Sequence, residues 1–321
     1  MNPPLAAVTG GTGFLGAHLV PALARAGFRL RLLARRPPAH PALAGLSFET
    51  VPGALENEEA LSRLVRGADV VVHAAGLIKA RNRASFLRGN MEGTACLARL
   101  TQHLAPQARF LLISSLAARE PGLSDYGFSK HAAEAAARQS FGDAPERLAI
   151  LRPPAIYGPW DRETLALFKA SLRPVAPLPG RGRAAVIHAR DAAGAIAAMA
   201  GERFRPGCFT LADDTPEGYE MRALMMAAAR ATGGHPYLPT LPGALVLAAG
   251  FFSGLAGKVS RAPPIFTLGK AREILHPDWS VPMEELLPRE IYRPRISLAA
   301  GFAETVAWYR RAGWLKESRH G

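Results

Sequence analysis

A tyrosine and a lysine four residues apart are the side chains of this sequence best suited to proton transfer. Tyr126 and Lys130 stand in the run Tyr126-Gly127-Phe128-Ser129-Lys130, which opens a predicted helix, and residues four apart lie on one helix face. A nearby ammonium favours the phenolate, so the spacing predicts that Lys130 brings the pKa of Tyr126 closer to the working pH. As an isolated pattern, the pair would be interpreted as a surface contact.

Two serines that precede this pair indicate that it lies near the ligand-binding edge of the predicted sheet. Ser114 and Ser115 stand at the carboxyl end of the strand predicted before the helix, and ligands of open α/β sheets bind outside such strand ends. A serine hydroxyl there could hydrogen-bond a substrate oxygen while the tyrosine exchanges a proton with it. This chemistry needs no metal ion.

A glycine-rich turn indicates a second ligand, a dinucleotide. Glycines in G-x-x-G-x-x-G spacing directly follow the first predicted strand. They allow a tight turn, close approach of the backbone to a pyrophosphate and close packing of the next helix, whose N-terminus then faces the phosphates. An ordinary glycine turn is the alternative. The predicted cofactor-binding residues here are Gly10, Thr12, Gly13, Phe14, Leu15 and Gly16.

Two arginines at the end of the second predicted strand indicate which dinucleotide binds. An acidic residue there would bind the ribose 2′-hydroxyl of NAD, but the strand ends Leu33-Ala34-Arg35-Arg36. Two guanidinium groups can hold a 2′-phosphate bidentately, which predicts NADP(H), with NAD(H) as the weaker alternative. The other interpretation is a solvated loop in an arginine-rich chain, since only six of the 39 basic residues are lysines.

The elements that must position these residues follow a βαβ rhythm. Short β-branched runs alternate with amphipathic stretches through the first half of the chain, which predicts the α/β class with a Rossmann-type doubly wound parallel sheet. The predicted strands are Leu5–Thr9, Arg29–Ala34, Leu46–Val51, Asp69–His73, Arg109–Ser114 and Arg147–Leu151. The predicted helices are Gly13–Ala26, Glu56–Arg66, Ser85–Leu104 and Tyr126–Ser140.

Prolines and glycines interrupt this rhythm after Arg152. We expect an NADP-binding domain over residues 1–152, to which residues 186–213 return through a strand and helix (Val186–Ala200) and a further strand (Cys208–Ala212). A smaller, discontinuous C-terminal substrate-binding region would then comprise residues 153–185 and 214–321. Ser297 caps a predicted helix that runs to Arg311.

With these motifs the sequence resembles the extended short-chain dehydrogenase/reductase family, also called the NAD-dependent epimerase/dehydratase family. The resemblance is carried by Thr9 to Gly16, His73-Ala74-Ala75-Gly76, Asn90-Met91-Glu92-Gly93-Thr94, Ser114-Ser115, the Tyr126 and Lys130 pair, Leu151-Arg152-Pro153, Tyr157-Gly158-Pro159 and His188-Ala189-Arg190-Asp191. It implies that Tyr126 is the general acid/base, that Lys130 binds the nicotinamide ribose and lowers the tyrosine pKa, and that Ser115, rather than Ser114, orients the substrate oxygen. It also implies cofactor contacts from Ala54, Leu55, Ala74, Ala75, Gly76, Tyr126 and Pro153.

Departures from the family pattern reduce the number of reactions that we expect this protein to catalyse. Gly53-Ala54-Leu55 replaces the common Gly-Asp-Leu, so the adenine contact is lost or comes from backbone. Leu116 and Ala117 replace the Asp-Glu of dehydratases and cannot carry protons, which argues against sugar dehydration. We expect an NADP(H)-dependent oxidoreductase that reduces a ketone or aldehyde or oxidises the corresponding alcohol. The alternatives are a nucleotide-sugar 4-epimerase with tightly bound NAD and a non-catalytic NAD(P)-binding subunit.

The composition of the chain limits the kinds of partner that we expect it to bind. The formal charge of +13 could serve nucleic acid, an anionic membrane or a phosphorylated ligand, but no basic run interleaved with aromatics appears, so we expect no nucleic acid. The two cysteines, Cys96 and Cys208, stand in no metal-binding or disulfide pattern and predict reduced thiols in a cytoplasmic protein. Relatives commonly dimerise through the helices predicted at 85–104 and 126–140, which implies a homodimer.

An apolar stretch from Gly243 to Gly257 follows prolines 236, 239 and 242 and is too short to span a bilayer. We expect it to close over a mostly apolar substrate, such as a steroid, isoprenoid or aryl ketone. The alternatives are a core helix of the small domain and an interfacial helix peripheral to the inner membrane. The cations that would help the interfacial helix are Lys258, Arg261, Lys270 and Arg272.

A few other polar and aromatic residues have predicted places. His188 and Asp191 are expected to brace the returning chain, and Asn90 to position a helix. His18 is expected at the surface. Tyr157 and Trp160 are candidates for lining the substrate.

Overall fold

The protein is described from a computed structural model over residues 2–259 and 266–316, with backbone only for residues 255–259. Arg261 lies outside these residues, and the side chain of Lys258 is likewise not described. The strands are β1 (Leu5–Thr9), β2 (Arg29–Ala34), β3 (Glu49–Pro52), β4 (Val70–His73), β5 (Arg109–Ile113), β6 (Leu148–Arg152), β7 (Ala155–Tyr157), β8 (Arg183–Ala184), β9 (Val186–His188), β10 (Gly207–Thr210), β11 (Tyr219–Glu220) and β12 (Asp278–Trp279). The helices are α1 (Phe14–Arg25), α2 (Glu58–Val65), α3 (Arg83–Phe86), α4 (Gly93–Leu104), α5 (Asp125–Ser140), α6 (Leu165–Ser171), α7 (Ala189–Ala200), α8 (Met221–Thr232), α9 (Gly243–Val259), α10 (Leu268–Leu275) and α11 (Leu298–Arg311).

Seven parallel strands form the main sheet, in the order β10-β6-β5-β4-β1-β2-β3. The chain winds outward from β1 in both directions, so the strand order reverses between β1 and β4. Ligands of doubly wound sheets bind in the crevice at that reversal. The predicted fold class is confirmed, and β10 returns to pair with β6 through registers such as Cys208 with Ile150.

Helices cover both faces of this sheet, which explains the continuous apolar runs of its strands. On one face, Leu19 and Leu23 of α1 pack with Ile196 and Met199 of α7. The other face is covered by α2, α4 and α5, and Leu64 of α2 lies in its apolar layer. Ser297 accepts a hydrogen bond from Ala300 N at 3.4 Å and caps α11 as predicted.

Two short sheets, β11-β8-β12 and β7-β9, accompany the remaining helices. Their apolar cluster includes Phe168, Phe302 and Tyr309. Tyr157 belongs to this cluster and is only 1% exposed, so the expectation that it lines the substrate is wrong. Its ring packs edge-on against Phe302, with the ring centroids 4.9 Å apart.

His18 is buried rather than at the surface. Its Nε2 hydrogen-bonds the carbonyl oxygen of Pro159 at 3.1 Å, and its ring lies 5.3 Å from that of Trp160. Burial lowers the pKa of His18 to about 4. The neutral imidazole therefore joins α1 to the loop after β7, a contact between residues far apart in sequence.

The helix predicted over Ser85–Leu104 is interrupted. Residues Leu87–Glu92 form a π-helical turn between α3 and α4. Such turns hold one extra residue, and they occur often at functional sites. Here the turn contains Asn90, whose side chain is buried.

Candidate active site

The glycine turn after β1 is built so tightly that two of its positions exclude a side chain. Gly10 has φ +76°, and a Cβ there would lie 2.6 Å from the Ala75 backbone nitrogen. A Cβ on Gly16 would lie 2.3 Å from the carbonyl oxygen of Gly10. The turn therefore packs directly onto the loop after β4, which contains Ala74, Ala75 and Gly76.

The N-terminus of α1 is left open. Gly13 is its N-cap, no side chain caps it, and the first turn contains no acidic residue. A Cβ on Gly13 would meet nothing closer than the Gly10 oxygen at 3.5 Å. Thr12 is exposed, while Phe14 and Leu15 are partly buried. Free N–H groups at a helix N-terminus bind phosphate, so this turn fits the pyrophosphate of a dinucleotide.

Arg35 and Arg36 follow β2 directly and are both exposed. Neither has a hydrogen bond or ion pair with another residue of the ranges 2–259 and 266–316. By contrast, Arg31 on the same strand pairs with Glu49 at 2.6 Å. Two unpaired guanidinium groups at the strand end where a ribose binds fit a 2′-phosphate.

The loops expected to contact the cofactor are fixed by hydrogen bonds. Ala74 N donates to Thr9 O and Ala75 N to Thr9 Oγ1, each at 3.2 Å. The Pro153 carbonyl accepts from Leu116 N at 2.8 Å. Ala54 and Leu55 are partly buried, and a Cβ on Gly93 would lie 3.1 Å from Leu55 Cδ1. The structure thus places all of these loops at the carboxyl edge of the sheet.

Ser115 and Tyr126 are brought together at this edge. The Ser115 hydroxyl lies close enough to the Tyr126 phenol to act on its pKa, and it accepts a hydrogen bond from Ala117 N at 3.2 Å. Helix α5 can approach this closely because Gly127 has no side chain. A Cβ at that position would lie only 2.7 Å from the Ala117 carbonyl oxygen. Ser124 caps the helix by accepting from Gly127 N at 2.9 Å.

Ser114 faces the other way. Its hydroxyl is buried and donates to Glu134 Oε1 at 2.6 Å. The side chain is therefore bonded within the core. Of the two serines, Ser115 is the one that contacts the tyrosine.

Lys130 is buried one helical turn from Tyr126. Its Nζ donates to the Ile113 carbonyl oxygen at 2.8 Å and lies 3.6 Å from the position that a Cβ on Gly76 would occupy. Burial lowers the pKa of Lys130 to about 8, and the charge of Glu134 opposes that change. The ammonium thus lies beneath the loop that follows β4, where the resemblance places a nicotinamide ribose.

The pKa of Tyr126 moves opposite to the expectation from spacing. Burial raises the pKa of the phenol, the Ser115 hydroxyl opposes the rise, and the charge of Glu273 adds to it. In this structure the predicted lowering by Lys130 is therefore wrong. The phenol holds its proton at neutral pH, which makes it a proton donor.

Glu134 is a part of the site that the sequence interpretation missed. It is fully buried, and Arg152 binds it through two hydrogen bonds of 2.8 and 2.7 Å. Burial alone would raise the pKa of Glu134, but the hydrogen bonds from Arg152 and Ser114 outweigh it and lower the pKa. The sequence did contain a signal for this role. Glu134 is four residues from Lys130, and this spacing places the two side chains on one face of α5.

Asn90 positions the loop after β4 from the π-helical turn. Its Oδ1 accepts from Leu77 N at 2.6 Å, and its Nδ2 donates to Leu77 O at 3.0 Å and to Ser129 Oγ at 2.8 Å. The expectation that it positions a helix was thus incomplete, since it also joins a loop to α5. Asp191 braces the chain as expected and accepts from Ile296 N at 2.9 Å.

Glu273 reaches the site from α10, far along the chain. The carboxylate accepts a hydrogen bond from Ser124 and from Lys270 Nζ at 3.1 Å. It is buried, and its charge acts on Tyr126. No local pattern in the sequence connects residue 273 with residue 126.

Replacing Glu273 with glutamine should lower the pKa of Tyr126, because the charge that raises it is removed while an acceptor for Ser124 remains. A reaction that needs the protonated phenol slows as the phenol ionises, so the alkaline limb of the kcat profile should move to lower pH. The exposed Glu59→Gln is the matched control. An alkaline limb that stays in place in Glu273→Gln would contradict this coupling.

Comparison with known proteins agrees with the geometry. The model of the NAD dependent epimerase/dehydratase family matches residues 6–208. The chain is 45% identical over 317 residues to a ceramide reductase of Caulobacter vibrioides, covering 97% of this chain and 96% of that protein. It is 35% identical over 119 residues to a 3-beta-hydroxysteroid dehydrogenase of Mycolicibacterium neoaurum, which covers 34% of this chain and 31% of that protein.

Solved structures share the fold. DesIV, a dTDP-glucose 4,6-dehydratase from Streptomyces venezuelae crystallised with NAD, superposes with a TM-score of 0.73 at 22% identity, over 98% of this chain and 99% of that one. A UDP-glucose 4-epimerase from Thermotoga maritima gives a TM-score of 0.70 at 17% identity, over 96% and 99% of the two chains. At such identities the similarity shows the fold alone.

Proposed function

Because this chain belongs to the NAD dependent epimerase/dehydratase family and is an oxidoreductase of it, we propose that it is an NADP(H)-dependent reductase that converts the ketone of a mostly apolar substrate into the alcohol. The observation that carries the proposal is the contact between Ser115 and the protonated phenol of Tyr126 beside the buried Lys130. A proton donor and a second hydrogen-bond donor for one oxygen are what carbonyl reduction requires.

The residues of the chain have separate roles in this reaction. A bound nicotinamide dinucleotide would supply the hydride. The Tyr126 phenol donates its proton to the substrate oxygen, and the Ser115 hydroxyl hydrogen-bonds that oxygen and stabilises the charge that develops on it. Lys130 would bind the nicotinamide ribose through its ammonium. The carbonyl carbon gains the hydride and the oxygen gains the proton, so the product is the alcohol.

The glycine turn and the arginines after β2 would hold the cofactor. The open N-terminus of α1 fits the pyrophosphate, and Arg35 with Arg36 would bind the 2′-phosphate of NADP(H). We assign this role to residues 1–152 with 186–213, and substrate binding to residues 153–185 and 214–321. The arginines argue against the 4-epimerase alternative, because a 2′-phosphate site serves no purpose for NAD.

Two observations support an apolar substrate. The relative that is similar over nearly the whole chain is a ceramide reductase, and a second, more partial one is a hydroxysteroid dehydrogenase. We therefore favour a lipid ketone over a sugar nucleotide, in a homodimeric enzyme.

The cofactor assignment gives a direct test. The unmodified enzyme should prefer NADPH over NADH by about 10- to 150-fold in kcat/KM, because a bidentate guanidinium–phosphate contact contributes about 1.5–3 kcal/mol. Arg35→Asp should erase or reverse the preference. The measurement is nicotinamide absorbance across a panel of apolar ketones with both cofactors. Arg311→Asp makes the same charge change at the end of α11 and should leave the preference intact, whereas equal use of NADH and NADPH by the unmodified enzyme would refute the assignment.

A further inference from the structure

Over residues 243–254, the part whose side chains the structure describes, helix α9 is apolar except for Ser253 but is buried on only one side. Val246 is buried, and a Cβ on Gly250 would lie 2.8 Å from the Cβ of Ala271 in α10. On the uncovered side, Leu245, Phe251 and Phe252 are 57%, 50% and 67% exposed. A helix that is hydrophobic all round is normally buried, and an exposed apolar patch of this kind marks a contact surface. We call these three residues the apolar ridge.

The chain that leads into α9 is also apolar and exposed. Tyr237 pairs with Val175 in a short parallel bridge, and both side chains are exposed. Leu241 N then donates to Leu178 O at 2.9 Å, just before α9 begins. The exposure of the ridge therefore excludes the core-helix alternative for this face of α9.

The segments around the ridge carry positive charge without any negative charge. Residues 221–272 contain six lysines and arginines and no aspartate or glutamate, and residues 164–190 contain five and none. The two segments meet at the side chain of Leu275. A Cβ built on Gly180 of one segment, or on Gly243 of the other, would lie within 3.7 Å of it. Arg181 and Arg272 are exposed, and neither pairs with any residue that the structure describes.

We propose that the apolar ridge docks this protein onto an anionic lipid bilayer. The two phenylalanines would enter the boundary between headgroups and acyl chains, while the surrounding cations bind anionic headgroups. Within the described ranges no helix has both the length and the apolarity needed to cross a bilayer.

Charge argues against a second copy of this chain on the ridge. A two-fold interface places the same patch of both subunits face to face. Here that would bring together two patches that are both flanked by the unpaired cations Arg181 and Arg272. An anionic membrane instead supplies the missing negative charge.

The docked face would lie near the catalytic helix. Helix α10 packs between α9 and the start of α5, where a Cβ on Gly269 would lie 3.0 Å from Ser124 Cβ. Tyr126 is two residues beyond Ser124. Supply of a lipid ketone from the bilayer to Tyr126 rests on the proposed function, whereas the docking itself does not.

Vesicle co-sedimentation tests the docking without substrate or cofactor. The full chain should bind vesicles of phosphatidylcholine with phosphatidylglycerol, bind those of phosphatidylcholine alone more weakly, and dissociate as salt is raised. The double variant Phe251→Ser/Phe252→Ser should bind at least about tenfold more weakly, since it loses the inserted apolar area. Arg272→Gln should weaken binding about fivefold.

The matched control is Met283→Ser, which changes a side chain that is 69% exposed outside the ridge and should bind like the unmodified protein. Phe252→Trp gives an independent readout, because brominated lipids should quench its added fluorescence. Tyr126→Phe should lose activity and still bind vesicles, which separates the docking from the proposed reaction.

Three outcomes would overturn the proposal. These are no binding of the unmodified protein to anionic vesicles, unchanged binding of the double variant, and no lipid quenching of Phe252→Trp. A double variant that turns a dimer into a monomer in sedimentation velocity, with vesicle binding unchanged, would show instead that the ridge contacts a second copy.

Discussion

Replacing Tyr126 with phenylalanine should lower the turnover of ketone reduction by about 10²- to 10⁴-fold, the contribution typical of a positioned general acid. The substitution keeps the ring and removes only the hydroxyl that Ser115 contacts. The glycine turn, Arg35 and Lys130 stay in place, so the affinity for NADPH should not change. Single-turnover absorbance measures the chemical step, and fluorescence titration of NADPH measures the affinity.

Tyr237→Phe is the matched control for this experiment. It removes the same hydroxyl from a tyrosine that is exposed on the bridge to Val175, and its turnover should equal that of the unmodified enzyme. Near-normal kcat in Tyr126→Phe would mean that another group donates the proton.

Replacing Glu134 with alanine should destabilise the protein by about 3–5 kcal/mol, because it leaves a guanidinium largely buried without its partner. Glu134 is fully buried, and Arg152 lies 2.7 Å from it with 16% of its side chain exposed. Ser114 would also lose its acceptor. Urea unfolding monitored by circular dichroism gives the free energy of unfolding for both proteins.

The pH dependence of this difference has a definite sign. The pKa of Glu134 is lower in the folded protein than its ordinary value, so the carboxylate stabilises the fold above about pH 4 and that contribution fades as the pH falls further. The difference in the free energy of unfolding between the unmodified protein and Glu134→Ala should therefore shrink as the pH falls. The control is Glu58→Ala, which removes an exposed partner of Arg99 and should cost less than about 1 kcal/mol. Equal losses of unfolding free energy in Glu134→Ala and Glu58→Ala would contradict the claim that burial makes the Glu134 contacts stabilising.

Local patterns predicted the main sheet and the glycine turn because their causes are local. The bounds of β1 and β2 coincide with the predicted runs Leu5–Thr9 and Arg29–Ala34, where consecutive apolar residues are buried between two helical layers. Gly16 is required by contacts with Gly10 and Gly11, and Gly10 by its positive φ together with the loop that follows the neighbouring strand β4. The spacing of Tyr126 and Lys130 likewise follows from one helix.

The remaining features depend on contacts between distant parts of the chain. The pKa of Tyr126 rises through burial and through Glu273, which the sequence separates from it by more than a hundred residues. Burial of His18 depends on the loop at Pro159. The π-helical turn around Asn90 has no signature in residue type, since it is stabilised by the loop at Leu77 and by Ser129.

The return of β10 to the sheet has a consequence for biosynthesis. Strands β1 to β6 are complete when residue 152 has been made, but β10, which pairs with β6, follows only after residues 153–206. Until then the edge of β6 is unpaired, and Leu19 and Leu23 of α1 lack the α7 side chains that cover them. A nascent chain of this length exposes a strand edge and an apolar helix face, both of which promote aggregation. Ribosome-bound chains should therefore need chaperone protection until residue 210 emerges.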